Sequence, residues 1–305
     1  MPARPEQPAS SGVAAHRFFA EAHVLSASLK QPITQEIKSH VSVTLPKVGG
    51  YDFRGANSFR LKGIISYQFG YAQVAGQRSL KPDHGFTTMA TAAVDGLNVL
   101  DVITADRVVG QVSTEHPDYN RGEGQVPSVT FLGTRFDNLQ IGGYKVEVER
   151  QLDILGPKPA GDRSYFDDPG VLDEISKQYV ALSKGKGLPA WASDLYRWDR
   201  TETQRTGVMR CSLVRRVIGA PGISFGHVID LPHFGKIFLG ELTVERKKLQ
   251  TGSGDPDKYA FHLTMIRLEL GCLAHGSATI VTTDSNGHGS GGSAPGTHGP
   301  GEGQP

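Results

Sequence analysis

The stretch DGLNVLDVITADRVVGQVSTEH, from Asp95 to His116, limits what this chain can fold into more than any other segment. Leu97, Val99 and Ile103 fall on one parity, while Leu100, Val102, Val108 and Val112 fall on the other, so a strand with one wet face does not suit it. Its valines, isoleucine and threonines lose rotamer freedom in a helix and fit a pleated surface better. Both faces need cover, which predicts one or two central strands of a sandwich, a barrel or a solenoid coil. Asp101 and Asp106 raise the idea of paired carboxylates for acid/base chemistry, yet their odd separation sends them to opposite faces of a straight strand. Their expected role is local, as turn or edge features satisfied by nearby donors.

Other segments read as strands by the same tests. IKSHVSVTL alternates, with Ile37, Ser39, Val41, Val43 and Leu45 on one side. SFRLKGIISYQFGYAQV is rich in β-branched and aromatic residues, and KVGGYDFRGAN and GQRSLKPDHG supply turn chemistry around it. VPSVTFLGTRFDNLQIGGYKVEVERQL reads as two strands, with Gly142 and Gly143 placed as a hairpin turn or bulge. VMRCSLVRRVI, ISFGHVIDL, GKIFLGELTVERKKL, KYAFHLTMIRLEL and GSATIVTT complete the strand set. Between the two groups lies a helical insertion over about 168–200. Asp168 is its N-cap before Pro169, Val171, Ile175, Tyr179 and Leu182 form its apolar stripe, and Gly185 suits its C-terminal end. A second short helix, PAWASDLYRW, places Trp191, Leu195 and Trp198 on one face, and DRTETQRTG then reads as a polar loop. Residues 1–15 read as a disordered leader and 284–305 as a disordered, Gly/His-rich tail, leaving one domain over 16–283. The expected fold is mainly β, an antiparallel sandwich or barrel-like domain carrying the helical insertion.

Charge and cysteine content narrow the function classes. Thirty-two basic residues against 31 acidic ones leave a formal charge of +1, so no global field draws in nucleic acid, and an anionic ligand would need a local patch. Cys211 and Cys272 are the only 2 cysteines and lie far from any C-x-x-C spacing, which excludes a thiolate zinc site but leaves one long-range disulfide open. No membrane span is expected, because no run of about 18 uncharged apolar residues occurs. The N-terminus lacks the apolar stretch of a secretory signal, which points to the cytoplasm.

The blocks VDGLNVLDVITADRVVGQVSTEH, FLGTRFDNLQIGGYKVEVE and KIFLGELTVE with YAFHLTMIRLELGCLAHGSATI resemble the bacterial choice-of-anchor P family. The resemblance covers about half the chain in separated blocks and rests on apolar patterns around glycines. It implies an extracellular β-domain with no assigned activity and brings no catalytic residue with it. This chain is expected to depart from the pattern, since neither a signal peptide nor an anchor is recognisable in it and a helical region is expected over 168–200.

Several residues are candidates for a site. GISFG at 222–226 matches the nucleophile pattern G-x-S-x-G with Ser224 at its centre and His227 close by, but a working elbow needs a helix after the serine, and Pro232 in HVIDLPHFG denies it. His227, His233, His262 and His275 fall in C-terminal strands without H-x-H or H-x-x-x-H spacing, so no metal and no cofactor is expected; His288 and His298 of the tail would bind metal only loosely. Trp191, Tyr196, Arg197 and Trp198 suit either a stacking platform for a sugar or the core face of a helix. Arginines at 197, 200, 205, 210, 215 and 216 outnumber Asp199 and Glu202 locally, and Arg215 with Arg216 could fork a phosphate or carboxylate or guard a strand edge. The residues together predict a non-catalytic structural or interaction module, self-assembling or surface-associated, with a protein partner or a second copy. Two alternatives stand beside it: a hydrolase using Ser224 with a histidine, and a carbohydrate-binding module centred on Trp191 and Trp198. An anionic ligand is the further partner class.

Overall fold

A computed structural model describes residues 16–80, 84–117, 126–161, 163–183, 189–247, 258–271 and 274–287. The chain opens with six strands: β1 (Ala20–Gln31), β2 (Gln35–Thr44), β3 (Gly50–Leu61), β4 (Ile65–Arg78), β5 (His84–Val99) and β6 (Ile103–Pro117). Short strands follow: β7 (Ser128–Thr130), β8 (Arg135–Asp137), β9 (Gln140–Ile141), β10 (Tyr144–Lys145) and β11 (Glu147–Arg150). Helices α1 (Pro169–Ser183), α2 (Ala190–Leu195) and α3 (Arg200–Thr206) come next. The last group is β12 (Val208–Ser212), β13 (Val214–Ile218), β14 (Ile223–Phe225), β15 (Val228–Leu231), β16 (Gly235–Lys247), β17 (Lys258–Leu270) and β18 (His275–Gly287).

Pairing is antiparallel throughout and builds two large sheets. The first runs β14-β15-β16-β17-β18-β1-β2, with β12 also on β16; the second runs β10-β9-β6-β5-β4-β3, with β7 and β8 also on β6. β1 lies across β4 and β5, β18 across β5 and β6, and β17 across β6, so the sheets face each other as a sandwich. Neither path closes on itself. The inner faces hold an apolar core that includes Val24, Leu25, Val74, Val94, Phe261 and Ile280.

Both sheets share an irregularity that the chain's alternation hides. Along β1 the buried residues run Ala20, Ala22, Val24 and then Leu25, Ala27, Leu29, so the inward phase reverses between 24 and 25. The same reversal falls on every neighbouring strand at one row, Gly240–Met265–Val281–Val24–Val41, and the pairs on either side of it keep register. Gly240, Val281 and Val41, on alternate strands of that row, take φ of 63°, 58° and 52°. Such values are rare for a β-branched residue and hold only where the surroundings impose them. A matching row crosses the second sheet through Ser58, Gln68, Gly96 and Asp106.

That second row corrects the expectation for Asp95–His116. Val94, Leu97 and Val99 point inward on β5, and Ile103, Ala105, Val108 and Val112 do so on β6. The two apolar parities come from a hairpin turn and a phase reversal, not from two covered faces. Asp101 sits in the turn, where its backbone N–H donates to Asn98 Oδ1 at 2.9 Å and its carboxylate accepts from Asn98 Nδ2 at 2.7 Å. Asp106 accepts from Asn138 Nδ2 at 2.5 Å.

Four boundaries differ from the expectation. YDFRGAN is the body of β3, since only the glycines before it are needed for the turn. Residues 126–150 hold five short strands in place of two, and Gly142 and Gly143, with φ of 58° and 81°, make the two-residue turn between β9 and β10. Residues 200–206 are α3 and extend the helical insertion: Asp199 Oδ1 accepts from the Glu202 N–H, and Gly207 closes the end at φ 66°. Its polar composition concealed it because only Thr203 is buried. Asp284 to Gly287 belong to β18, held partly by a Thr114–Ser285 hydroxyl contact of 2.9 Å. The leader, the rest of the tail, Gly185, Cys272 and the side chain of Leu195 lie outside the described residues. Cys211 is a buried free thiol.

Candidate functional site

The helical insertion packs on the outer face of the first sheet, and what lies beneath it follows from the phase reversal. Where two consecutive residues turn inward on β16 and β17, the outer face is left with a strip that carries no side chain. Phe238 and Arg267 stand on one side of the strip and Glu241 and Thr264 on the other. Bulge-like irregularities commonly re-aim side chains beside binding sites, and this one lets Arg267 reach Glu241 along the strip. Arg267 Nε and Nη2 donate to the two Glu241 oxygens at 2.5 and 3.0 Å, and Nη1 donates to Glu269 Oε1 at 2.6 Å. Its guanidinium carbon lies 3.6 Å from the Phe238 ring centroid.

Val171, Leu172, Ile175, Tyr179 and Leu182 form the buried stripe of α1, as their spacing predicts. Gln178 ties the helix to β12 by donating to the Ser212 carbonyl at 2.9 Å and accepting from the Ser212 N–H at 2.8 Å. Tyr179, Leu182 and Tyr196 thereby overhang the strip, enclosing a cleft of about 390 Å³. Its floor carries Glu241, Thr243, His262, Thr264 and Arg267, and Arg210 lies at its β12 side.

His227 closes one end. Its Nε2 is 3.1 Å from the Tyr196 hydroxyl and 4.0 Å from Glu241 Oε1, while Nδ1 is buried without a hydrogen-bond partner among the described residues. Burial, against a smaller opposing pull from Glu241, pushes the imidazole down to about 4. Burial also raises the Tyr196 and Tyr179 hydroxyls above the phenol range, helped at Tyr196 by the Glu241 charge and at Tyr179 by Cys211. The Cys211 thiol on the cleft wall is pushed up to about 12 by burial. Arg267 works against its own burial and is still held charged, because the hydrogen bonds and charges of Glu241 and Glu269 outweigh desolvation. Glu269 is likewise held below the carboxylate range: burial opposes its charge, and Arg267 and then Lys236 overcome it.

The sequence candidates distribute around this cleft unevenly. Tyr196, His227 and His262 line it, the last with Nδ1 2.6 Å from Asp284 Oδ1. Trp191 and Trp198 flank it half-buried: Trp191 packs on Phe225 and Phe238, donates from Nε1 to Asp230 Oδ2 at 3.3 Å, and carries the Lys236 ammonium 4.2 Å above its ring. Trp198 packs on Tyr179 at 5.2 Å. Arg197 is exposed beside them, and Arg215 and Arg216 lie apart on β13, both facing Glu149 at 3.8 and 2.9 Å. Ser224 is exposed on β14, opposite Ile229, in a hairpin that turns straight into β15 with no helix after it. His233 and His275 are exposed and are not among the residues that line the cleft. Among the described residues no three His, Cys, Asp or Glu side chains gather closely enough to hold a metal.

Tyr179 belongs to the apolar stripe that the α1 spacing names, whereas the charged cleft residues Glu241, Arg267 and Glu269 were not singled out from the sequence. Their signal is present, since IRLEL and GEL place charges at outward positions of strands that are otherwise apolar. Only the position of the helices over those strands gives the charges a shared enclosure.

No curated protein and no solved structure matches the chain. A family model described as a domain of unknown function, DUF8256, matches residues 16–245, which span all of the helical insertion and every cleft-lining residue outside β17. With about three quarters of its length matched, the chain belongs to the DUF8256 family.

Proposed function

We propose that the protein works without catalysis, as a β-sandwich interaction module whose contact site is the cleft beneath α1 and α2. The observation that carries this reading is the chemical quiet of the cleft. General acid/base catalysis at neutral pH is most efficient from a group that titrates near 7, and nucleophilic catalysis needs an activated hydroxyl or thiol. Here the imidazole is pushed down to about 4 and the thiol up to about 12. The tyrosine hydroxyls are raised, and the Glu241 carboxylate is forked by Arg267. The imidazole, the thiol and the two phenols are thus each poised far from neutral pH, which suits recognition better than proton transfer. Ser224, the alternative nucleophile, has no histidine hydrogen-bonded to it among the described residues.

A hydrolase panel of p-nitrophenyl esters, glycosides and phosphates tests the reading. The expected result is no turnover above that of His227→Gln and Tyr196→Phe variants. Turnover that disappears in either variant overturns it.

A further inference from the structure

Among the described residues, each charged side chain around the cleft but one is hydrogen-bonded to another side chain. Glu241 and Glu269 are both engaged by Arg267, and Lys236 Nζ also donates to Glu269 at 3.3 Å. His262 is paired with Asp284, and His227 is neutral. Arg210 is the cation left over: it is exposed at the β12 side of the floor, opposite Thr243, and no carboxylate of the described residues pairs with it. It lies close enough to Tyr179 to act on that hydroxyl's charge.

We propose that the cleft takes a small, ring-bearing monocarboxylate, its acid forked by Arg210 and its ring held between Tyr179, Leu182 and Tyr196. The inference rests on the interaction-module reading and adds the ligand class. At 390 Å³ the cleft lies at the small end of the about 300–1,000 Å³ range of ligand sites, room for one ring and a short acid arm. A guanidinium matches a carboxylate by two parallel N–H donors, and tyrosine rings offer edges and faces to a planar partner. The Thr243 and Thr264 hydroxyls on the floor can donate to the second lone pairs of the acid or to a ring substituent. A dianion is disfavoured, because its second charge would meet Glu241 with no further free cation to receive it.

The two tryptophans give the readout, since Trp198 packs on Tyr179 and Trp191 on Phe238. The full-length chain is titrated with phenylacetate, with its neutral isostere phenylacetamide, and with inorganic phosphate, followed by tryptophan fluorescence and by calorimetry. Phenylacetate is expected to bind about 10- to 100-fold more tightly than the amide, the effect of one charge-assisted fork. Phosphate is expected not to compete. Arg210→Gln should erase the preference for the acid, Arg210→Lys should restore part of it, and Thr264→Trp, which fills the floor, should remove binding of both ring probes. Circular dichroism of each variant checks its fold. Equal binding of acid and amide, both lost in Thr264→Trp, overturns the proposal while leaving the cleft a binding site. An acid preference that survives Arg210→Gln overturns it, as does failure of both ring probes to bind at millimolar concentration. The hydrolase panel decides the underlying reading independently of all three results.

Discussion

Lowering the pH from 7 towards 4 should destabilise this protein through His227, and Gln at that position should remove the effect. The imidazole is fully enclosed, bonded by Nε2 to the Tyr196 hydroxyl, and held down to about 4 against an ordinary 6.5. As the pH falls the unfolded chain takes up this proton first, so the contribution is complete above 6.5 and is lost progressively down to about 4. Linkage between those two values gives a loss of about 2 kcal/mol by pH 5 and about 3 kcal/mol once both are passed. Glutamine keeps an amide within reach of the tyrosine and does not titrate. Urea unfolding of both chains at pH 7, 6, 5 and 4.5 measures the difference directly, and the other ionisable groups, being common to both, cancel. The wild type should lose about 2 kcal/mol more than His227→Gln between pH 7 and 5. Parallel stability curves would refute the argument, because they would mean that the imidazole meets water or carries its proton in the fold.

Two further outcomes follow from the packing. Gly110 on β6 faces the reversal row of the opposite sheet, and a Cβ there would stand 2.9 Å from both Met265 Cγ and Val281 Cγ1. Methionine can move aside but the branched valine, fixed at φ 58°, cannot, so Gly110→Ala should cost about 1–3 kcal/mol in chemical denaturation; a neutral result would place the sheets further apart than described. In a Cys272→Ser background, the Cys211 thiol should resist iodoacetamide at pH 8 while the chain is folded and react at once in denaturant, because burial holds it up to about 12. Mass spectrometry of the two samples reads this, and rapid labelling of the native chain would show the cleft wall to be open.

The strands and the first helix were legible because local chemistry sets them. The 171–175–179–182 stripe of α1 names a buried face without outside help, whereas the alternation of IKSHVSVTL holds only from Val41 to Leu45, because the phase turns at Val41 and leaves Ser39 exposed. The phase reversals were not legible, because a change of parity at Gly96 or Val24 reads in one dimension as apolar residues on both faces. Only the alignment of that change across neighbouring strands distinguishes it from double burial. The helix at 200–206 escaped for a related reason: with one buried residue it offers no stripe, and its Asp199 cap and Gly207 stop are signals that polar loops share. The cleft was half visible. Tyr196, His227 and His262 drew attention as residue types, whereas Arg267 and Glu241 gain meaning from a salt bridge between strands more than twenty residues apart.

The reversal rows also bear on how the strands find their alignment during folding. A strand that slips by two residues keeps its apolar side chains on the correct face, so hydrophobic patterning alone does little to prevent that error. In this sandwich such a slip would carry the odd residue of the sliding strand out of line with those of its neighbours, turning a polar residue inward and an apolar one outward over the displaced interval. Gly240, Met265, Val281, Val24 and Val41 therefore act together like the notches of a key, and a strand inserted into this scaffold by design would have to bring its own notch at the same height.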